Sequence, residues 1–138
     1  MKIFLDANIL VSVLNKELPV YTHSSRVLSL MGTSKFEIHT SPICLAIAFY
    51  FAEKKSGRIN AKEKIQLLAS KIKIAESDRS TVLRAAADKS IDDFEDGLEY
   101  YSALKAGCRC IITQDLDDFY FSKIPVMTAE QFLEEHVL

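Results

Sequence analysis

The sequence is poor in cysteine, in charge of one sign and in long apolar runs, and each shortage narrows what the chain can be. Its three cysteines, Cys44, Cys108 and Cys110, are an odd number in a chain rich in core-forming residues. Such a count does not build a disulfide framework. Cys108 and Cys110 flank Arg109 and would point to one face of a strand. No second pair stands at a spacing that would close a metal site, so these read as buried structural thiols. No apolar stretch approaches the roughly 18–20 residues needed to cross a bilayer. The opening run Ile3-Phe4-Leu5 is too short for a signal peptide and is interrupted by Asp6. The expectation is a cytoplasmic protein with no membrane partner.

Net charge is −2, so the molecule as a whole does not attract a polyanion. Lys54, Lys55, Arg58, Lys62 and Lys64 lie close together. They form either a local basic patch or, the favoured reading, a solvated helix end with its connecting turn. Repeats, linkers and low-complexity segments are absent, and 138 residues suit one domain spanning residues 1–138.

What is present is an ordinary globular composition, 49% hydrophobic and 26% charged. Strand-like runs alternate with helix-like ones. Residues 2–5 and 110–113 read as strands buried on both faces, with shorter candidates at 35–39, 73–75 and 124–127. Helical spacing covers residues 9–14, 22–31, 42–55, 60–72, 80–87, 93–106 and 128–135. Ser41 before Pro42, Asn60, Asp78 or Ser80, and Thr128 read as helix caps. The 42–55 segment is apolar nearly all round and is expected to be deeply buried. Gly107 suits a left-handed helix end. Alternating strands and helices imply parallel pairing with right-handed crossovers, hence a three-layer α/β/α sandwich around a short, mostly parallel sheet.

The acids are placed for chemistry. Ligands of an open parallel sheet sit beyond the carboxyl ends of its strands. Asp6 follows the first strand, and Asp115 follows Thr113 at the end of the 110–113 strand. Asp93, Asp96 and Tyr100 fall on one face of a helix, while Glu95 and Glu99 are expected to point outward. Taken singly, each acid suits a cap or a turn. Taken together, Asp6, Asp96 and Asp115, supported by Asp93 and Asp118, suit a hard divalent cation, Mg²⁺ or Mn²⁺. Such a site can orient a water and neutralise charge developing on a phosphodiester.

Three segments carry a resemblance: Ile3 to Leu10, Asp96 to Ala103, and Ile111 to Phe119. Together they resemble the PIN domain family along essentially the whole chain. Many PIN domains are Mg²⁺- or Mn²⁺-dependent ribonucleases, including toxins of toxin–antitoxin pairs. The resemblance therefore implies an RNA substrate, an antitoxin protein partner and a homodimer. It assigns Asp6, Asp96 and Asp115 as catalytic metal ligands, with Asn8, Thr113 and Asp118 as auxiliary residues. One departure stands out. RNA-cleaving members carry a glutamate early in the helix after the second strand, and the matching position here is Ile47. Asp93, facing the same way as Asp96, is a candidate to compensate.

The leading expectation is a PIN-type endoribonuclease, and the alternative is a PIN-fold module that binds RNA or protein without cleaving. An aspartyl phosphatase is disfavoured, because Asn8 stands where that chemistry needs a second aspartate. His23, His39 and His136 are dispersed and read as surface or structural residues. Tyr101 reads as packing, and Tyr100 is open between packing and base stacking.

Overall fold

A computed structural model describes residues 1–137. Ile3, Phe4 and Leu5 are fully buried and form strand β1 (Lys2–Leu5), which lies in the middle of a five-stranded sheet. Its parallel neighbours are β2 (Glu37–Thr40) and β4 (Cys110–Ile112). The outer strands, β3 (Lys73–Ile74) and β5 (Val126–Met127), are also parallel, giving the order β3-β2-β1-β4-β5. All strands thus end at one rim. Strand order reverses between β1 and β4, and at such a reversal the connections part and leave a crevice.

The helices follow from the crossovers. Helices α1 (Ala7–Leu14), α2 (Tyr21–Leu28), α3 (Pro42–Ser56) and α4 (Arg58–Ala69) arise while the chain moves outward from β1 to β3. Helices α5 (Arg79–Ala87) and α6 (Phe94–Lys105) arise as it returns to β4. Right-handed crossovers taken in opposite directions put the two sets on opposite faces of the sheet. The contacts agree: α1 packs on α2 and α3, α3 on α4, and α5 on α6. The closing helix α7 (Ala129–His136) packs on α2. Sheet and helices make the expected α/β/α sandwich, with Phe4, Ile9, Leu10, Ile111, Phe119 and Phe132 at its centre.

Local chemistry sets the helix starts. Ser41, Asp78 and Thr128 cap α3, α5 and α7 through their side chains, and Thr128 forms a reciprocal box with Gln131. Gly107 takes the left-handed conformation after α6, φ 79°. Asn60 is not the cap of α4. The helix begins at Arg58 after Gly57, and the Asn60 amide donates instead to the Ser56 carbonyl at 3.0 Å. The expected burial of α3 is also corrected. Only its small side chains, Cys44, Ala48 and Ala52, are fully buried, while Tyr50 and Phe51 are 51% and 44% exposed. An apolar helix can turn its bulk outward when close packing against neighbouring helices is reserved for small residues.

Two members of the basic cluster have structural roles. Lys55 donates to the carbonyl of Asn15, and Lys64 donates to that of Leu14 at 3.2 Å. Both satisfy carbonyls at the end of α1, where the helix dipole favours cations. Lys54 lies 4.3 Å from the Tyr50 ring centre. All three cysteines are buried and unpaired.

Candidate metal centre

The rim at the β1/β4 reversal holds an acidic cavity of about 360 Å³. Asp6 sits at its floor, 6% exposed. As the first residue beyond β1, Asp6 caps α1: one carboxylate oxygen accepts from the Ala7 N–H at 2.6 Å. The other accepts from the Thr113 hydroxyl at 2.7 Å. Both readings of Asp6, cap and site acid, are therefore geometrically compatible. The Thr113 hydroxyl, having given its proton to Asp6, accepts from the Asn8 amide and from the Asp115 N–H, each at 3.1 Å. The Asn8 side-chain oxygen in turn accepts from the Gln114 backbone N–H at 3.1 Å. This ladder fixes the ends of β1 and β4 against each other and leaves the Asp6 carboxylate one orientation.

Helix α6 supplies the opposite wall. Asp93 is its cap and not part of its face: Oδ1 accepts from the Asp96 N–H at 3.2 Å. Asp96, one turn in, lines the cavity together with Glu95, Glu99 and Asp118. Glu99 is placed otherwise than expected. It is buried at 1% exposure and accepts from the Cys44 thiol at 3.0 Å. Glu17 completes the acidic lining, and no lysine, arginine or histidine contributes to it.

Of the residues singled out in the sequence, Asp6, Asn8, Asp96 and Asp118 line the cavity, as does Ile47 at the position of the missing acid. Thr113 lies directly behind Asp6. Asp93 and Asp115 do not line it; Asp93 is engaged as a cap, and Asp115 lies beside Asp118 on the exposed turn after β4. Tyr100 is buried, accepts from the Lys123 N–H at 3.1 Å and packs edge-on against Phe121, so it is a packing residue and not a platform for bases.

Electrostatics follow from this crowding. Burial first, then Asp93, Asp118, Asp6 and Glu95, push the Asp96 carboxyl up to about 7. Glu99 is raised by burial and by its contact with Asp6. Asp118 and Glu95 are raised mainly by partial burial, with Asp115 and Asp93 respectively the next cause. The Cys44 thiol, raised by burial and by Glu99 and Asp6, keeps its proton and remains a donor. Among the described residues, the ion pairs involve only Lys105 and the histidines, and none neutralises a cavity acid. Asp6 and Glu99 bring carboxylate oxygens within 4.8 Å of each other and of the Cys44 sulfur, and Asp96 and Asp118 line the same cavity. Oxygen donors without basic partners suit a hard divalent cation. The residues fit such an ion.

The chain belongs to the PIN domain family, whose model matches residues 2–117. Ribonuclease VapC1 of Aquifex aeolicus (strain VF5) is 29% identical over 140 residues, covering 96% of this chain and 94% of that protein. Among solved structures, VapBC-1 of nontypeable Haemophilus influenzae superposes with a TM-score of 0.71 at 17% identity, over 94% of this chain and 99% of that one. VapC20 of Mycobacterium tuberculosis, described as a sarcin-ricin loop cleaving toxin, gives 0.70 at 13% identity, over 87% and 95%. These structural likenesses establish the shared fold.

Proposed function

We propose that the protein is a divalent-metal-dependent endoribonuclease of PIN type, acting in the cytoplasm as the toxin of a toxin–antitoxin pair. The observation that carries this reading is the cavity itself: acids converge from β1, α6 and the turn after β4, with no basic residue among them. Asp6, Asp96 and Asp118 would hold the ion, with Asp115 close enough to Asp118 to join them. When bound, Mg²⁺ or Mn²⁺ supplies charge neutralisation at the phosphodiester and a water of lowered pKa. The chain's own part is positional. Thr113 and the Ala7 N–H orient Asp6, Asn8 orients Thr113, and Asp93 fixes the first turn beneath Asp96. Phe51 and Val11 supply an apolar edge to the cavity.

An antitoxin partner is supported by the VapBC neighbours, one of which, from Rickettsia felis, is described as bound to a DNA fragment of its own promoter. The exposed apolar side chains Tyr50, Phe51, Ile59 and Leu67 on α3 and α4 are candidates for covering by that partner or by a second copy.

Incubation with a mixed RNA pool tests the proposal. Cleavage is expected with Mn²⁺ or Mg²⁺, is expected to stop with chelator, and should be lost in Asp6→Asn, which keeps the α1 cap and the fold. Undiminished cleavage by Asp6→Asn overturns the assignment. A second reading, a binding module that does not cleave, is favoured by Ile47 at the cavity wall; Mn²⁺ binding without turnover would select it.

A further inference from the structure

Glu99 is the most deeply buried acid of the cavity, at 1% exposure. Among the described residues, the Cys44 thiol is the one donor to its carboxylate. A thiol is a weak donor and carries no positive charge. The other close neighbour is Asp6: one ligand atom from each of Asp6, Cys44 and Glu99 lies within 4.8 Å of the others. Burying one carboxylate without a counter-charge is costly, and setting two together compounds the cost. A glutamine at position 99 would fill the same space and donate a hydrogen bond to Asp6. A glutamate is the better choice where a cation comes between the two.

We propose that Glu99 supplies the acidic ligand missing from α3, holding the divalent cation together with Asp6 in the cavity that Asp96 also lines. The inference rests on the metal-dependent reading above. Ile47 on α3 and Glu99 on α6 line the same cavity, and the two helices are in contact. A carboxylate absent from one wall is thus replaced from the wall facing it. Asp96 and Glu99 are three residues apart on α6 and share a face. Carboxylate oxygens suit the hard ion, while the Cys44 thiol, which donates to Glu99, orients the carboxylate from behind.

Calorimetric titration of the full chain with Mn²⁺ tests this without reference to turnover. Glu99→Gln is expected to weaken binding at least as much as loss of an outer-shell partner does, about 10–100-fold. Its metal-free melting temperature should not fall, since the amide fills the same space and can donate to Asp6 as the protonated acid does. Glu99→Gln combined with Ile47→Glu is expected to regain most of the lost affinity. Unchanged Mn²⁺ affinity in Glu99→Gln, or no recovery in the double variant, overturns the proposal. Should Glu99→Gln fail to fold, Glu99→Asp withdraws the oxygens by one methylene and keeps the charge; weakened binding is again expected and unchanged binding overturns. If the unaltered protein binds no Mn²⁺, the metal-dependent reading falls and takes this inference with it. If it binds and Glu99→Gln binds equally, only this inference falls.

Discussion

Thr113 shows how much a single side chain can hold. Its hydroxyl is fully buried and engages Asp6, Asn8 and the Asp115 N–H at once. Thr113→Val keeps the shape and removes the hydroxyl, leaving the Asp115 N–H and the Asn8 amide without their acceptor. Stranding a buried donor costs about 1–3 kcal/mol; these two are partly buried, so the denaturant midpoint should fall by the lower end of that range. Mn²⁺ affinity should fall as well, because Asp6 loses the partner that orients it. A variant with normal metal affinity would show that Asp6 is held adequately by its own helix cap. At this scale the sequence was partly legible. Asp6, Asn8 and Thr113 were found because each follows a buried strand, where a polar residue is conspicuous. Glu99 was missed for the opposite reason: it lies within a helix, where a charged residue ordinarily faces water.

The error over Glu99 is really an error about its helix. The large apolar residues Phe94, Leu98, Tyr101 and Leu104 suggest one buried stripe, yet Phe94 is 48% exposed and the other three are only half-buried. The buried face runs instead through Gly97, Tyr100 and Ala103, with Glu99 and Ser102 beside them. Small residues mark where helices approach closely, and side-chain volume conceals this in a sequence. The same rule misplaced α3, whose small residues, not its aromatic ones, meet the core. By contrast, strand identities, parallel pairing and most caps were legible, because they depend on short patterns, while the strand order was not. Gly97 makes the point testable. A Cβ placed there would lie 3.2 Å from Ala85 Cβ and from Ile91 Cγ2. Gly97→Val should therefore destabilise the protein by about 1–3 kcal/mol through overpacking. It should also weaken Mn²⁺ binding by displacing Asp96 and Glu99 together, measured by thermal melts and titration on the same preparation.

For the whole molecule, the crowded acids make stability depend on pH in a definite sense. The Asp96 carboxyl rises from 3.8 to about 7 in the folded chain, and Glu99, Glu95 and Asp118 rise with it. Between the ordinary carboxylate range and the raised values, the folded protein binds more protons than the unfolded chain. Stability of the metal-free protein must then fall as pH increases through that window. Asp78, Asp88 and Glu37 act oppositely. Lys105, Ser90 and His39 respectively hold them below their ordinary values, so their contribution is lost only on strong acidification. In chelator, the melting temperature should therefore decline from about pH 4 to about pH 7. Saturating Mn²⁺ should flatten that decline, because the ion takes the place of the protons. A melting temperature that climbs across this range without metal would contradict the crowding described for the cavity.

The lysines at the end of α1 carry one more implication. Lys55 and Lys64 are already committed to the carbonyls of Asn15 and Leu14, and the chain as a whole is slightly anionic. Neither lysine lines the cavity, whose charged side chains among the described residues are all acidic, so a nucleic-acid strand nearing the rim would be repelled there until a cation is bound.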